Sequence, residues 1–290
     1  MDDAAVWPPP DFTEKEQDRY GRSALYWRWT DPQPRASAWD VQRAAHPALR
    51  EGRRPRRRGT GGAAATALAA SGVGRLHLVD DDRVESNFNR QTLYAEADIG
   101  RLKFDAARDR LRQINSDITV TGQRTRVTGP SDLAAVLPGC DLLVMCADQP
   151  DDIRTWANAA CMNANMPWVD GGYHGPLVTV GAYAPHISGG CRTCLRRTED
   201  ERWQPDVADD TDLLNTLPRA PGHPATAVTA GLSGQLAAHL AIALLTGAAT
   251  VTPGSIYGLN LAALGTEAVH LTSERRPDCP ACGTTPVVAP

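Results

Sequence analysis

Lysine is almost absent from this 290-residue chain. Only Lys15 and Lys103 occur among 30 basic residues, and the others are arginine. Because arginine is the default cation here, a lysine in a particular place is a stronger sign of function than usual. The formal net charge is −4, which does not favour binding to nucleic acid or to an anionic membrane. We therefore expect neither as a partner.

Long hydrophobic runs and targeting signals are also lacking. The longest apolar run, around Leu236–Leu245, is too short to span a bilayer and contains His239. The chain begins Met1-Asp2-Asp3 and does not show the basic-then-apolar order of a signal peptide. Hydrophobic residues make up 42% and charged residues 22%, as in an ordinary globular protein. These features predict a cytoplasmic location, where thiols stay reduced.

The seven cysteines do not suggest a disulfide framework, because their number is odd and the predicted compartment is reducing. Four of them form two Cys-x-x-Cys pairs, Cys191 with Cys194 and Cys279 with Cys282. Each pair can place two thiolates on one ion, and four thiolates make a closed tetrahedral zinc site. We predict structural zinc, which would clip the C-terminal tail to the middle of the chain. The alternatives are a redox pair or coincidence.

A glycine-rich turn, Gly59-Thr60-Gly61-Gly62, opens a helix of small residues, and the strand after it ends on Asp80-Asp81-Asp82. Such a turn presents free backbone N–H groups to phosphate. An acidic residue about 20 positions later suits a ribose hydroxyl. The pattern predicts a nucleotide site, but by itself it fits NAD, FAD or ATP.

Cationic residues beyond this strand narrow the choice of nucleotide. Asn87, Arg90 and Gln91 follow the acidic run closely, and Lys103 stands at the start of the next predicted helix. An arginine just past the ribose-binding acid suits a polyphosphate better than a nicotinamide. The set therefore favours ATP.

Asp148 follows a buried apolar strand, at the carboxyl edge of the sheet where ligands of such folds bind. A carboxylate beside phosphate oxygens suits Mg²⁺. The alternative is a cap for the helix predicted to start near Asp151. We predict Asp148 as a magnesium ligand.

Residues 53–58 read Arg-Arg-Pro-Arg-Arg-Arg, where a buried strand normally precedes the glycine turn. Burying this many unpaired charges is too costly, so we expect a solvated arm or loop and a sheet that lacks a strand. A second hypothesis is a compensated frameshift. Arg54–Arg58 can be encoded by CGT CCT CGT CGT CGG, which read one base later gives Val-Leu-Val-Val-Gly. A third is a patch for nucleic acid.

Hydrophobic patterning predicts alternating helices and strands after the glycine turn. The expected helices are 63–71, 103–114, 131–137, 153–163 and 225–245, and the expected strands are 76–79, 118–121, 141–146, 167–170, 177–183, 256–264 and 267–271. This order predicts an α/β fold with a doubly wound, mostly parallel, Rossmann-like sheet. The last two strands are expected to be antiparallel.

Three regions are expected along the chain. Residues 1–50 form an N-terminal helical arm, in which Thr13 and Glu16 fit a capping box. Residues 51–190 form the nucleotide-binding core. Residues 191–290 hold a polar crossover loop (196–222), the long helix, the C-terminal strands and the zinc-clipped tail, and are continuous with the core.

The motifs together resemble the ThiF/MoeB/HesA family, relatives of the ubiquitin-activating enzymes, over about residues 19–283. The resemblance is carried by residues 72–80, 84–91, 100–103 and 146–148 and by the two cysteine pairs. It implies an adenylyltransferase that uses ATP and Mg²⁺. In this family a carboxylate, usually the C-terminus of a small carrier protein or peptide, attacks the α-phosphate, giving an acyl-adenylate and pyrophosphate.

The resemblance also implies roles for individual residues. The catalytic set is Arg90, Lys103, Asp148 and Arg22, with Arg22 reaching across a homodimer interface. The nucleotide-binding set is Gly59, Gly61, Gly62, Asp80, Asp82, Asn87, Gln91 and Gln149.

The chain also departs from the family pattern. Ala64 replaces the last glycine of the turn, and Gln149 stands where asparagine is usual. The crossover segment contains no cysteine, so the reaction is expected to stop at the adenylate or to pass to another nucleophile. The alternatives are a catalytically degenerate member that binds a peptide or partner, and, less favoured, an NAD-dependent oxidoreductase.

Overall fold

The structure is a computed structural model of the chain. It describes residues 13–20, 59–86, 90–187, 189–202, 225–247, 251–265 and 268–283, and the backbone alone for residues 52–54. The predicted site residues Arg22 and Asn87 lie outside the described residues.

Strands of the described residues form one eight-stranded sheet in the order β3-β2-β1-β4-β5-β6-β7-β8. The strands are β1 Gly52–Arg54, β2 Arg75–Val79, β3 Thr119–Gln123, β4 Leu142–Met145, β5 Trp168–His174, β6 Leu177–Tyr183, β7 Ser255–Asn260 and β8 Val269–Thr272. Strands β1 to β5 pair in parallel, and β5 to β8 pair antiparallel. The predicted Rossmann-like sheet with antiparallel C-terminal strands is confirmed.

Helices cover both faces of this sheet. They are α1 (residues 14–20), α2 Gly59–Ala70, α3 Lys103–Ile114, α4 Pro130–Val136, α5 Ile153–Asn163, α6 Arg192–Arg202 and α7 Ala227–Thr246. Alternate residues of β4 enter two different cores. Leu142 and Val144 pack with α2, α3 and α7, whereas Leu143 and Met145 pack with α4, α5 and α6. A strand buried on both faces reads as a continuous apolar run, which is why β4 was recognisable in the sequence.

The expectation that the sheet lacks a strand before the glycine turn is wrong. Gly52–Arg54 forms β1, which lies between β2 and β4 and pairs with both. The flanking residues Leu76, Leu78, Leu142 and Leu143 are fully buried. A central parallel strand is ordinarily apolar, because unpaired charge there loses its hydration. Residues 52–54 are therefore not a loop, and the frameshift, which concerns Arg54–Arg58, remains a hypothesis.

Two other expectations need correction. The antiparallel part of the sheet starts earlier than predicted, because β6 folds back on β5 as a hairpin. The crossover segment is not a loop at its beginning, since α6 continues to Arg202. Polar composition suggested a loop there, but the buried Leu195 and the buried Cys194 anchor this helix on the core.

The N-terminal helix α1 packs on its own chain. The Thr13–Glu16 capping box is confirmed, with Thr13 N donating to the Glu16 carboxylate at 2.9 Å and Glu16 N donating to Thr13 Oγ1 at 3.3 Å. Tyr20 is buried, and its hydroxyl accepts a hydrogen bond from Asn115 Nδ2 at 3.0 Å. These contacts fix α1 against the end of α3. The three predicted regions of the chain remain predictions.

Helix α7 is long and apolar enough to cross a membrane by length and composition alone. Its apolar character has another explanation in this fold, because 56% of its most apolar window is buried. It packs against α2 and against strands β5 and β6.

Restoring an apolar strand before the glycine turn should stabilise the protein. We expect R54V/P55L/R56V/R57V/R58G to raise the Tm by about 5 °C or more, because Arg54 belongs to β1, which lies between β2 and β4, and a central parallel strand disfavours unpaired charge. Thermal denaturation followed by circular dichroism measures this. R112V, which changes an exposed arginine on α3, is the matched control and should leave the Tm unchanged.

An unchanged or lower Tm in the five-residue variant would show that the arginine run suits this fold. Resequencing the gene tests the frameshift directly. Arginine codons without the alternative apolar reading would contradict it.

Candidate functional site

The glycine turn forms the N-terminus of α2, and Gly59, Gly61 and Gly62 are all buried there. A Cβ atom on Gly59 would lie 1.4 Å from the carbonyl oxygen of Arg90 and 2.9 Å from Cβ of Ala230. Only glycine therefore allows the loop at Arg90 to cross this helix end. The consequence is that Arg90 is held at the N-terminus of α2, where the helix dipole favours an anion.

The side chain of Arg90 has an unpaired donor. Its Nε is buried and makes no hydrogen bond within the part of the chain that the structure describes. Leaving a buried N–H without an acceptor costs about 1–3 kcal/mol. A phosphate oxygen would satisfy it, but the role of Arg90 in binding phosphate remains a prediction.

Helix α7 supports the turn from behind. A Cβ on Gly234 would lie 2.3 Å from the carbonyl oxygen of Thr60, so the two helices touch backbone to backbone. The hydroxyls of Thr60 and Ser233 are hydrogen bonded at 2.9 Å in this buried contact. The first turn of α2 is thus fixed by α7 as well as by the sheet.

The acidic end of β2 meets the start of α3. Asp80 is buried, and its Oδ1 accepts a hydrogen bond from Asp82 N at 2.9 Å. The Asp82 carboxylate is paired with Lys103 Nζ at 3.1 Å, and the Lys103 side chain is only 4% exposed. Asp80 and Lys103 thus lie at the same end of β2, as the motif predicts. Asp82 is the partner of Lys103 in this structure, and its predicted contact with the nucleotide remains a prediction.

Asp148 is half-buried in the loop that follows β4. Its neighbour Gln149 donates from Nε2 to Asp151 Oδ1 at 2.8 Å, so the Gln149 amide is engaged within the loop. The charge of Asp148 also acts on the guanidinium of Arg154, which lies at the start of α5. Asp148 keeps the place predicted for a magnesium ligand at the carboxyl edge of β4.

The two cysteine pairs come together as predicted. Sγ of Cys191 lies 3.9 Å from that of Cys194 and 3.7 Å from that of Cys279, and Sγ of Cys194 lies 3.4 Å from that of Cys282. Four thiolates about 2.3 Å from a tetrahedral Zn²⁺ are separated by roughly 3.8 Å. The donor set therefore fits zinc.

The same cluster joins the tail to the start of α6. Arg276 is paired with Glu201, and Arg197 is paired with Asp278 at 2.7 Å. Both ion pairs connect α6 to the segment that carries the second cysteine pair.

Sequence reasoning missed a charged group under α5 and α6. Asp170 on β5 accepts a hydrogen bond from Arg154 Nε at 2.6 Å and one from Arg192 Nε at 3.2 Å. The pKa of Arg154 is raised, chiefly by the charge of Asp170. Two features of the sequence could have indicated this cluster. Asp170 ends the strand predicted at 167–170, and Arg192 lies between Cys191 and Cys194.

The sequence was compared with models of protein families and with proteins of known function. The sequence model described as ThiF family matches residues 58–281. The chain is 31% identical to the molybdopterin-synthase adenylyltransferase of Escherichia coli over 226 residues, which covers 78% of this chain and 84% of that protein. It is 32% identical to the SAMP-activating enzyme E1 of Haloferax volcanii over 232 residues, covering 78% of each.

A match to the Salmonella typhimurium molybdopterin-synthase adenylyltransferase is shorter, at 35% identity over 140 residues, and spans 55% of that protein's length. Among solved structures, E. coli MccB with ATP superposes with a TM-score of 0.75 at 26% identity, covering 92% of this chain and 74% of MccB. MccB with MccA-N7isoASN gives a TM-score of 0.74 at 26% identity, covering 91% of this chain and 74% of MccB. With the family match over most of the chain, this protein belongs to the ThiF family.

Proposed function

We propose that this protein is an ATP-dependent adenylyltransferase. Its substrate is the C-terminal carboxylate of a small ubiquitin-like sulfur carrier or of a ribosomal peptide. The observation that carries the proposal is the position of Arg90, whose backbone crosses Gly59 at the N-terminus of α2 and whose buried Nε has no hydrogen-bond partner among the described residues. The names of the relatives support the reaction, since they are adenylyltransferases and an activating enzyme.

In the proposed reaction, a carboxylate oxygen attacks the α-phosphorus of ATP and forms a new O–P bond. The bond from the α-phosphorus to the oxygen that bridges to the β-phosphate breaks, and pyrophosphate leaves with that electron pair. No protein nucleophile is needed. The protein supplies orientation and charge neutralisation, which are the main requirements for transfer at phosphorus.

Each described residue of the site has a place in this scheme. Backbone N–H groups of Gly59–Gly62 bind phosphate oxygens, and Asp80 accepts hydrogen bonds from the ribose. Arg90 and Lys103 neutralise the phosphates as pyrophosphate forms. Asp148 would hold Mg²⁺, which when bound supplies further neutralisation of the phosphate charge.

The proposal extends to assembly and location. We propose a homodimer in which Arg22 of one subunit approaches the nucleotide of the other. This part of the proposal rests on the family resemblance of the Arg19–Arg22 segment; α1 itself is anchored on its own chain through Tyr20. The proposed location is the cytoplasm, where the zinc thiolates would stay reduced.

A degenerate member of the family is the second candidate. It is favoured by the arginines at β1, a strand position that is ordinarily apolar. Such a protein would bind a peptide or a companion enzyme without binding ATP. Calorimetry with ATP separates it from the adenylyltransferase.

Removing a cysteine of the four-thiolate cluster should release zinc. We expect the purified protein to hold about one zinc ion per chain and C282S to lose most of it, because three ligands no longer close the site. Elemental analysis measures the metal, and limited proteolysis should show faster cleavage of the tail near Cys279. C140S, which changes a half-buried thiol outside the cluster, should keep the metal. Equal zinc in C282S and the unaltered protein would contradict the assignment.

Loss of the two site charges should abolish adenylation. We expect R90A and D148A each to lower carboxylate-dependent ATP–pyrophosphate exchange by about 100-fold or more, because each removes charge stabilisation of the reacting phosphate. The carboxylate substrate would be taken from neighbouring genes, either a small protein ending in Gly-Gly or a short precursor peptide. R124A, an exposed arginine at the end of the parallel sheet, is the control and should exchange normally. Normal exchange by R90A and D148A would refute the site.

A further inference from the structure

The half-buried ion cluster around Asp170 is not used by the mechanism above. Asp170 lies on β5 beside Met145 of β4. Its two carboxylate oxygens are held separately, Oδ1 by Arg154 from α5 and Oδ2 by Arg192 from α6. One aspartate therefore fixes two guanidiniums that come from different helices.

Both arginines bind Asp170 through Nε only. Among the described residues, the terminal Nη nitrogens of Arg154 and Arg192 make no hydrogen bond. A guanidinium can bind a carboxylate or phosphate through two parallel N–H···O bonds, and the edge formed by its two Nη atoms is one place for this. That edge is not hydrogen bonded in either arginine among the described residues, although Nη2 of Arg154 lies close to Gly172, where a Cβ would be 3.1 Å away.

Within the cluster, two guanidiniums share one hydrogen-bonded carboxylate. The charge of Asp148 also acts on Arg154, and Glu199, whose charge is felt by Arg192, is itself paired with Arg196 at 3.7 Å. Burial raises the pKa of Glu199, which makes it a poorer counter-ion. The Arg154 and Arg192 side chains are 22% and 25% exposed, so an anion can reach them from solvent.

A second, independent observation at the same place is the hydroxyl of Tyr183. The Tyr183 ring stacks on Trp168 with 4.5 Å between centroids, and its hydroxyl is buried without a hydrogen-bond partner in the described part of the chain. The pKa of Tyr183 is raised well above its usual value, first by burial and next by the charge of Asp170. The Tyr183 hydroxyl is thus an unsatisfied donor beside the ion cluster. Buried polar groups are seldom left without a hydrogen-bond partner.

We propose that Arg154 and Arg192 form an oxyanion-binding site near Asp148, whose charge acts on Arg154. Its ligand is either the carboxylate that becomes adenylated or the pyrophosphate that is released. The inference rests on the proposed adenylyltransferase function and assigns it a specificity site. Asp170 is the positioning residue, because it fixes both guanidiniums through Nε and directs their Nη edges away from itself.

Calorimetry with small probes tests the site. The probes are glycylglycine, which has a free C-terminal carboxylate, glycylglycine amide, which has none, and inorganic pyrophosphate. We expect R154Q and R192Q each to weaken binding of glycylglycine or pyrophosphate by about tenfold or more, since each removes charge-assisted hydrogen bonds. The amide should not bind. If the ligand is the carboxylate, the affinity for Mg²⁺-ATP should stay within about twofold, because these arginines are outside the phosphate-binding turn; if it is pyrophosphate, the affinity for Mg²⁺-ATP should fall together with that for pyrophosphate, at an unchanged Tm.

Two further variants test the geometry of the guanidinium and the specificity of the effect. R154K keeps the charge without the planar guanidinium edge, and it should still weaken binding if the geometry matters. R124Q removes an exposed arginine that is paired with Asp105, and it should change nothing. If only glycylglycine responds, the ligand is the substrate carboxylate; if only pyrophosphate responds, it is the product.

Three results would overturn the proposal. They are undiminished probe binding by R154Q and R192Q, no binding of either probe by the unaltered protein, and a parallel loss of Mg²⁺-ATP and probe binding with a lowered Tm. The last result would make the arginines structural supports. Failure of the unaltered protein to bind Mg²⁺-ATP would instead refute the proposed function, and the probes would still report on the arginine pair.

Discussion

The contact between α2 and α7 is the constraint on which the site depends. At Gly234 the two helix backbones touch, and the buried hydroxyls of Thr60 and Ser233 link them at the first turn of α2. That turn carries the glycines that we propose bind phosphate, and the backbone at Arg90 lies against Gly59. The turn is therefore held between a helix and a loop. Its position does not rest on the short strand β1 alone.

Local patterns were enough to predict most of the elements. The helix expected at 153–163 and the strand expected at 177–183 have the observed bounds, because each has its own apolar periodicity and its own breaker residues. Local patterns do not predict which strands pair with each other. The β5–β6 hairpin and the central place of β1 follow from pairing between distant segments. No local pattern in residues 52–58 reports that pairing, and their charge argued against it.

The residues of the site likewise fall into those that belong to a local motif and those that only the fold brings together. Gly59, Arg90 and Lys103 could be predicted because they belong to short motifs whose geometry is set by one helix start or one loop. The rarity of lysine identified the buried Lys103, but it would have misled at Lys15, which is exposed and paired with Asp117 at the surface. The Arg154–Asp170–Arg192 cluster joins three elements. Only the folded sheet brings its members together.

Asp148 lies between two groups of residues that pack on opposite faces of the sheet. Helix α2, whose N-terminus suits phosphate, packs on the face shared with α7, whereas α5 and α6, which carry the two arginines of the cluster, pack on the other face. The N-terminus of α2 and the arginine cluster both lie toward the carboxyl end of β4. Asp148 is in the loop that follows this strand. Transfer at phosphorus places the attacking and leaving oxygens roughly in line on opposite sides. In the proposed reaction, a sheet edge approached from two faces would give those oxygens separate routes to the phosphorus atom, with Asp148 where the routes join.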